Sequence, residues 1–235
     1  MKKGFNLFNY LKMEHFKKIV ISVGEVGLDH ASHNELIQSI PVLRSISDTL
    51  DLIDSIRNRH LLIKLSIFFE KLYSIPLEVR SRFIDKHAKS QKNLSQQIII
   101  YLDRQEANEK AVILSNIFTA FLYEKIDYTV LVRLLSILDK VIFEDLTILK
   151  NEFIRQLEYP IEGTQKVWLL GKDYEHLVAT GMVIENTGFG LNPGQVNLSD
   201  FGLEGEIYEH SQFYITHLGT KLIKHGLLEK SGLEV

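Results

Sequence analysis

Apolar residues recur every three or four positions between residue 34 and about residue 157, and this spacing constrains the fold more than any other feature. A helix has 3.6 residues per turn, so the spacing places apolar side chains on one helix face. Four successive stripes have the pattern: Leu43–Ile53, Leu61–Leu72, Ala111–Phe121 and Leu131–Leu149. They predict amphipathic helices, and their short polar connections favour antiparallel neighbours.

Residues with helix-capping chemistry fall between these stripes. Asp127 is a predicted N-cap for one long helix that begins near Tyr128 and carries the last stripe. Asn93 and Gln96 together resemble a capping box for the helix that carries Ile98 to Leu102. A helix is expected to stop at Tyr159, because a residue before proline avoids helical backbone angles.

Beyond Pro160 the pattern changes, and most of the fourteen glycines lie there. We predict a short helix ended by Gly181, a strand from Met182 and a polar loop over 186–205. Two short strands, at 207–208 and 213–215, and a closing helix over 218–227 should follow. With the motif Tyr214-Ile215-Thr216-x-Leu218-Gly219-x-x-Leu222, this order looks like the second half of a winged-helix domain.

The predicted fold class is therefore mainly α, with two domains. An antiparallel helical bundle is expected over residues 1–158, with an N-terminal helix and loop over 1–33 packed on it. A small α+β winged-helix-like domain is expected over residues 160–230. Residues 231–235 are interpreted as a tag or linker remnant, because Leu233-Glu234-Val235 opens a common protease site.

A helical N-terminal region joined to such a tail resembles the organisation of abortive-infection alpha-type proteins of bacteria and prophages. The general look of Ile40-Pro41-Val42-Leu43 and of Glu109-Lys110-Ala111 is also similar to that family. The resemblance implies a role in defence against phage, and composition by itself implies nothing of the kind.

Composition excludes several classes of protein. The chain of 235 residues is 45% hydrophobic with a net charge of −3, which argues against intrinsic disorder. It has no cysteine, so disulfides, thiolate metal sites and cysteine nucleophiles are excluded. No apolar run approaches the roughly 18 residues of a membrane span, and no signal-peptide pattern is present. A cytoplasmic location is expected.

Candidate chemical sites have simpler interpretations. One group carries metal-ligating side chains: Asp29, His30, His33 and Glu35. These could bind zinc or manganese, but a solvated polar loop is the preferred interpretation. Gly188, Gly190 and Gly194 lack the spacing of a phosphate-binding loop and favour a wing or hairpin. We therefore predict no catalytic residue, no metal and no cofactor.

Other polar residues have no pattern of a site. The residues Asp139, Lys140, Glu144 and Asp145 are interpreted as an exposed face of the long helix that begins near Tyr128. His210, His217 and His225 are scattered over predicted strand and helix positions. The chain is predicted not to be an enzyme.

The C-terminal part is acidic. Residues 151–235 contain six Lys or Arg against twelve Asp or Glu, a net charge of −6. Since phosphate contacts supply most non-specific affinity for nucleic acid, this part is a poor candidate for DNA binding. Winged helices also bind protein, and that interpretation is preferred.

Residues 57–92 form a basic segment with nine Lys or Arg and three acids. Its candidate interaction residues are Arg57, Arg59, Lys64, Arg80, Arg82 and Lys86. They could bind an acidic protein partner, a nucleic acid, anionic lipid or the acidic tail of this chain. The alternative is an ordinary solvated face of the bundle.

The segment Phe5–Val26 is both basic and aromatic. Its candidate contacts for a membrane surface or a dimer are Phe5, Phe8, Tyr10 and Phe16. An interfacial helix would have this composition, and so would an N-terminal helix that docks on the bundle. Docking is the preferred alternative.

These patterns favour a non-enzymatic protein-interaction module that binds an unknown partner or itself, in a bacterial or prophage defence system. Two alternatives stay open: a membrane-acting effector that uses the N-terminal segment with peripheral membrane contact, and a nucleic-acid-binding regulator.

Overall fold

The chain is mainly helical, with a small antiparallel sheet, as the apolar periodicity predicts. The structure is a computed structural model that describes residue 11 and residues 56–86, 91–159, 168–169, 174–191 and 207–228. Between residues 56 and 159, the described helices are, in order, α1 (Ile56–Tyr73), α2 (Leu77–Lys86), α3 (Gln91–Arg104), α4 (Asn108–Leu122), α5 (Tyr128–Lys140) and α6 (Phe143–Glu158).

Helix α4 lies at the centre of the first core. Its buried positions recur on nearly every side, and its most extensive described contact is with α1. Aromatic rings fill this contact, with ring centres 5.6 Å apart for Phe68 and Phe118, and Phe83 of α2 packs on the same helix with its ring centre 4.8 Å from that of Phe121. Edge-on ring pairs add to the free energy gained by burying the rings.

Helices α4 and α5 run antiparallel, because their opposite ends meet. Lys110 in the first turn of α4 donates to the Leu138 carbonyl near the end of α5, at 3.0 Å. Phe121 near the end of α4 lies 6.4 Å from the ring of Tyr128, where α5 begins. The turn between them is short, as the sequence indicates.

The Asp127 cap is confirmed. Its carboxylate accepts a hydrogen bond of 2.8 Å from the Val130 backbone N–H, one of the free donors of the first turn of α5. The predicted capping box at Asn93 is wrong, because α3 begins two residues earlier at Gln91. The predicted stop before Pro160 is confirmed, since α6 ends at Glu158.

The prediction of a single long helix after Asp127 is wrong, because the helix is interrupted between Lys140 and Phe143. Val141 is buried, and Ile142 has an extended backbone at the N-cap of α6. No glycine or proline marks this break. Glu144 and Asp145 are its sequence signal, because acidic residues stabilise the first turn of a helix.

The second part of the chain combines short helices with the sheet. Its elements are β1 (Trp168–Leu169), α7 (Glu175–Val178), β2 (Val183–Leu191), β3 (Ile207–Ile215), α8 (His217–Leu222) and a π-helical turn (Ile223–Leu227). The strand order is β1-β3-β2, and all neighbours are antiparallel. The β2–β3 register runs from Val183 opposite Ile215 to Leu191 opposite Ile207.

The hairpin is longer than the sequence predicts. The loop predicted from residue 186 is strand as far as Leu191, and the two short strands predicted at 207–208 and 213–215 are one strand, β3. Cross-strand pairing holds Gly188 and Gly190 in β2 despite their low strand propensity. The interpretation of these glycines as part of a hairpin is confirmed.

A glycine with a left-handed backbone follows α7, and a threonine side chain caps the start of α8. Gly181 has a φ of 84°, a left-handed angle that ends α7 and turns the chain into β2. Thr216 is the N-cap of α8: its hydroxyl accepts from the Gly219 N–H at 2.9 Å and donates to the Gly181 carbonyl at 2.7 Å. One threonine thereby joins the turn after α7 to the closing helix.

The chain forms two compact units, and the first is discontinuous in sequence. The first unit comprises residues 1–139 and 225–235, and the second comprises residues 140–224. The second unit includes α6, so it begins earlier than the predicted domain boundary near residues 158–160. The winged-helix-like domain over residues 160–230 stays a prediction.

The returning segment of the first unit packs against α4. Asn116 donates through Nδ2 to the Gly226 carbonyl at 2.8 Å. A Cβ on Gly226 would lie 2.8 Å from Cγ2 of Ile113, so this position allows little more than a hydrogen atom.

Candidate functional site

The structure divides the predicted basic segment into buried and exposed residues. Lys64 and Arg80 are only 3% and 5% exposed, whereas Arg82 and Lys86 lie on the surface of α2. Arg57 and Arg59 belong to α1, and their side chains lie outside the described residues. The six candidate residues therefore do not form one continuous cationic surface.

Lys64 binds the C-terminal end of α3. Its Nζ donates to the carbonyl oxygens of Gln105, at 2.5 Å, and Asp103, at 3.4 Å. Carbonyl groups at the end of a helix lack donors within the helix and carry partial negative charge, so a buried cation stabilises them. This contact occupies the ammonium group inside the first unit and removes it from any surface partner.

Arg80, on α2, has a similar structural role at the connection between α1 and α2. Its Nε donates to the Ile75 carbonyl at 3.0 Å, and its Nη1 donates to the Leu11 carbonyl at 2.8 Å. The guanidinium also lies 5.0 Å from the centre of the Tyr73 ring. Burial lowers the pKa of Arg80 below its ordinary value, because desolvation disfavours the charged form.

Lys86 pairs with Glu124 on the surface, at 2.7 Å. Both side chains are about half exposed, so water and salt screen the interaction and its contribution to stability is small. Glu124 has a φ of 55° at the end of α4, where Lys125 N–H bonds the Ala120 carbonyl. The interaction role predicted for Arg82 and Lys86 stays a prediction.

Leu11 is the one described residue of the N-terminal segment. It is helical and fully buried, and its carbonyl accepts the Arg80 hydrogen bond. This contact favours docking of the segment near Leu11 over insertion into a membrane. The aromatic candidates Phe5, Phe8, Tyr10 and Phe16 lie outside the described residues.

A polar cluster that the sequence does not reveal surrounds Gln105, which is buried just after α3. Its Nε2 donates to the Tyr101 carbonyl at 2.9 Å and to Asp139 Oδ1 at 3.2 Å. Both partners are acceptors, so they fix the orientation of the amide. Arg104 contacts the other oxygen of Asp139 at 3.6 Å.

The same cluster changes the acidity of Tyr101. Burial raises the pKa of Tyr101, and the negative charge of Asp139 raises it further, while Arg104 opposes the change. Gln105 Oε1 has no hydrogen-bond partner among the described residues, although it is buried. The cluster links α3 to α5, and Asp139 is its shared acceptor. Asp139 is therefore half-buried rather than fully solvated, whereas Lys140 and Glu144 are exposed, as the sequence predicts.

In the second unit, Asp145 is buried rather than exposed. Its Oδ2 lies 3.3 Å from Nε2 of His176, on the short helix α7. The contact ties the first turn of α6 to α7. The sequence could indicate an acidic first turn for α6, but it could not indicate this partner.

Within the described residues, no three His, Asp or Glu side chains come together as a metal site. The metal-ligand candidates at 29–35 lie outside that part of the chain, as does the side chain of His210. His217 is exposed in the first turn of α8, and His225 belongs to the π-helical turn of the first unit.

Three residues on the surface of α6 and the C-cap residue that follows it form a stripe, which we call the α6 stripe: Ile148, Glu152, Arg155 and Tyr159. The spacing of four and three residues keeps Ile148, Glu152 and Arg155 on one side of the helix, and Tyr159, the non-helical C-cap, follows four residues after Arg155. Ile148 is 47% exposed and Tyr159 is 72% exposed. Between them, Arg155 pairs with Glu152 at 2.7 Å.

No described helix is long and apolar enough to cross a membrane. Comparisons with protein-family models, with curated proteins and with solved structures gave no match to this chain.

Proposed function

We propose that this chain is a non-enzymatic protein-interaction module, and that the α6 stripe is its main described contact surface. The observation that carries the proposal is the exposure of two large apolar side chains, Ile148 on α6 and Tyr159 at its C-cap. Helices that dock into a partner place exposed apolar side chains in a groove of that partner. The pair of anchors at one helix and its C-cap favours a specific partner over a non-specific one.

The basic segment contributes less to this proposal than the sequence suggests. Lys64 binds the end of α3 and Arg80 binds the Ile75 and Leu11 carbonyls inside the first unit, and Lys86 already has a carboxylate neighbour in Glu124. Arg82 and Lys86 are exposed on the first unit, and exposed charges affect the rate of association more than the affinity.

We also propose the finer fold: an antiparallel bundle in the first unit and a winged-helix-like arrangement in the second. The antiparallel pairing of α4 with α5 supports the bundle. The order of short helix, glycine, hairpin and closing helix, with β1 beside β3, supports the winged-helix-like interpretation. The membrane alternative uses residues 5–26, and the buried Leu11 weighs against it.

The interaction proposal predicts that charges on the α6 stripe abolish capture of a partner. Tagged wild-type chain and the variants Ile148→Glu and Tyr159→Glu would be used as baits in the native bacterial host, with quantitative mass spectrometry. A direct partner should fall by roughly tenfold or more with either variant, because a charge enters an apolar contact.

Ile100→Glu is the matched control, because Ile100 is 49% exposed and lies on α3 of the first unit. That variant should retain the partner. The proposal fails if all three variants capture the same proteins as the wild type.

We further propose that the module acts within a bacterial or prophage system for defence against phage. The architectural resemblance to abortive-infection alpha-type proteins supports this context. Expression of the wild-type chain, with its neighbouring genes, should lower the plating efficiency of at least one phage in a broad panel. Tyr159→Glu should restore plating if the α6 stripe is required, whereas a panel that plates equally on cells with and without the system contradicts the proposal.

A further inference from the structure

The α6 stripe is complementary to itself. Its sequence of side chains is apolar, acidic, basic, apolar, and its midpoint lies between positions 153 and 154. When two such helices are laid antiparallel about that midpoint, Ile148 of one meets Tyr159 of the other. Glu152 of one then meets Arg155 of the other, in both directions.

We propose that α6 pairs with α6 of a second copy of this chain, antiparallel and about a twofold axis. This inference rests on the proposed interaction function and names its partner. In a twofold interface, a contact between one residue of the first copy and another residue of the second copy is repeated with the copies exchanged. Every favourable contact is therefore formed twice. The pair between Glu152 and Arg155, 2.7 Å within one chain, becomes part of a network of four charges.

A parallel arrangement would be unfavourable. It would place Glu152 against Glu152 and Arg155 against Arg155, and like charges across a helix pair are repulsive. Charge complementarity therefore selects both the second copy and its orientation. Leu149 and Phe153 are buried on the adjoining face of α6, and the stripe lies beside that face, with Ile148 exposed and Glu152 and Arg155 part-exposed.

The interface is small. Four side chains in each copy cover much less than the roughly 1,600 Å² of a standard protein interface. We therefore expect a weak, concentration-dependent dimer with a dissociation constant of roughly 10 µM or weaker.

Charge exchange at the centre of the stripe tests the pairing by sedimentation velocity on the full chain. Glu152→Arg makes the stripe wholly basic and Arg155→Glu makes it wholly acidic. Each variant alone should self-associate roughly tenfold more weakly, or worse, because all four central charges then repel. An equimolar mixture of the two variants should associate again, because a basic stripe then meets an acidic one.

The double variant E152R/R155E should dimerise like the wild type, since it keeps both the pair within the helix and the pairs between helices. Lys150→Glu is the control on the other side of α6, and it should leave the dimer unchanged. Helical content from circular dichroism would show that each variant folds. A monomeric wild type at every concentration, or a mixture that fails to associate, overturns the inference.

The outcome separates the dimer from the broader proposal. If the wild type stays monomeric but Tyr159→Glu still abolishes capture of another protein, the dimer inference fails and the interaction function stands. If the dimer forms and responds to the charge exchange while no captured protein depends on the stripe, a separate partner at this surface is rejected.

Discussion

Replacing Arg80 with methionine should lower the free energy of unfolding of the first unit by about 3 kcal/mol. Methionine keeps much of the apolar volume but provides no donor. The buried carbonyls of Ile75 and Leu11 would lose the guanidinium bonds of 3.0 and 2.8 Å. Hydrogen bonds from a charged group contribute about 1.5–3 kcal/mol each, and a buried acceptor without a donor keeps its full desolvation penalty.

Urea unfolding followed by circular dichroism would measure this effect. Arg82→Met is the matched control, because Arg82 is exposed on the same helix and its loss should change stability by less than about 0.5 kcal/mol. Arg80→Lys should fall between the two, since one ammonium group cannot reproduce the fork that reaches two carbonyls. Equal stability of Arg80→Met and Arg82→Met would show that the Leu11 contact does not stabilise the fold.

Replacing Gly219 with alanine should destabilise the second unit by about 3 kcal/mol, although alanine is the better helix former. A Cβ at this position would lie 2.4 Å from the Met182 carbonyl oxygen and 2.8 Å from Cγ2 of Ile215. The carbonyl cannot move away freely, because it accepts the Thr216 N–H at 2.9 Å. The gain in helix propensity is only about 1 kcal/mol, so the steric cost decides the sign.

Thermal and urea unfolding of Gly219→Ala, beside Thr220→Ala as a control one position along α8, would test this prediction. At Gly226 the nearest atom is Cγ2 of the Ile113 side chain, at 2.8 Å, whereas at Gly219 it is a hydrogen-bonded backbone oxygen at 2.4 Å. Gly226→Ala should therefore cost less than Gly219→Ala. An increase in stability for Gly219→Ala would mean that α8 does not approach β2 so closely.

The regular elements of this chain could be predicted from local patterns. Apolar spacing indicates the helices because burial of one face holds each helix in place, and the Asp127 cap depends on one carboxylate and a nearby N–H. The closing helix and the turn at Gly181 could likewise be predicted, because the residues that indicate them lie within a few positions of each other.

Long-range polar contacts could not be predicted. Lys64 and Arg80 look like surface cations in the sequence, and only the packing of distant segments shows that they bind carbonyl groups 41 and 69 residues away. Asp139 and Asp145 lie beside a helix break that no glycine or proline marks. Asp139 accepts a hydrogen bond from Gln105, just after α3, and Asp145 contacts His176 on α7. A single sequence gives the number of charged residues but does not indicate which of their side chains are buried.

The Asn116 bond to the Gly226 carbonyl spans 110 residues and completes a unit whose chain is interrupted by residues 140–224. During synthesis, α1 to α5 emerge long before the segment that packs on α4. The surface of α4 at Ile113 therefore stays partly exposed until residues 140–224 have been synthesised and the segment around Gly226 can pack on it. The order of translation thus leaves an early apolar surface that the nascent chain, or a chaperone, has to protect.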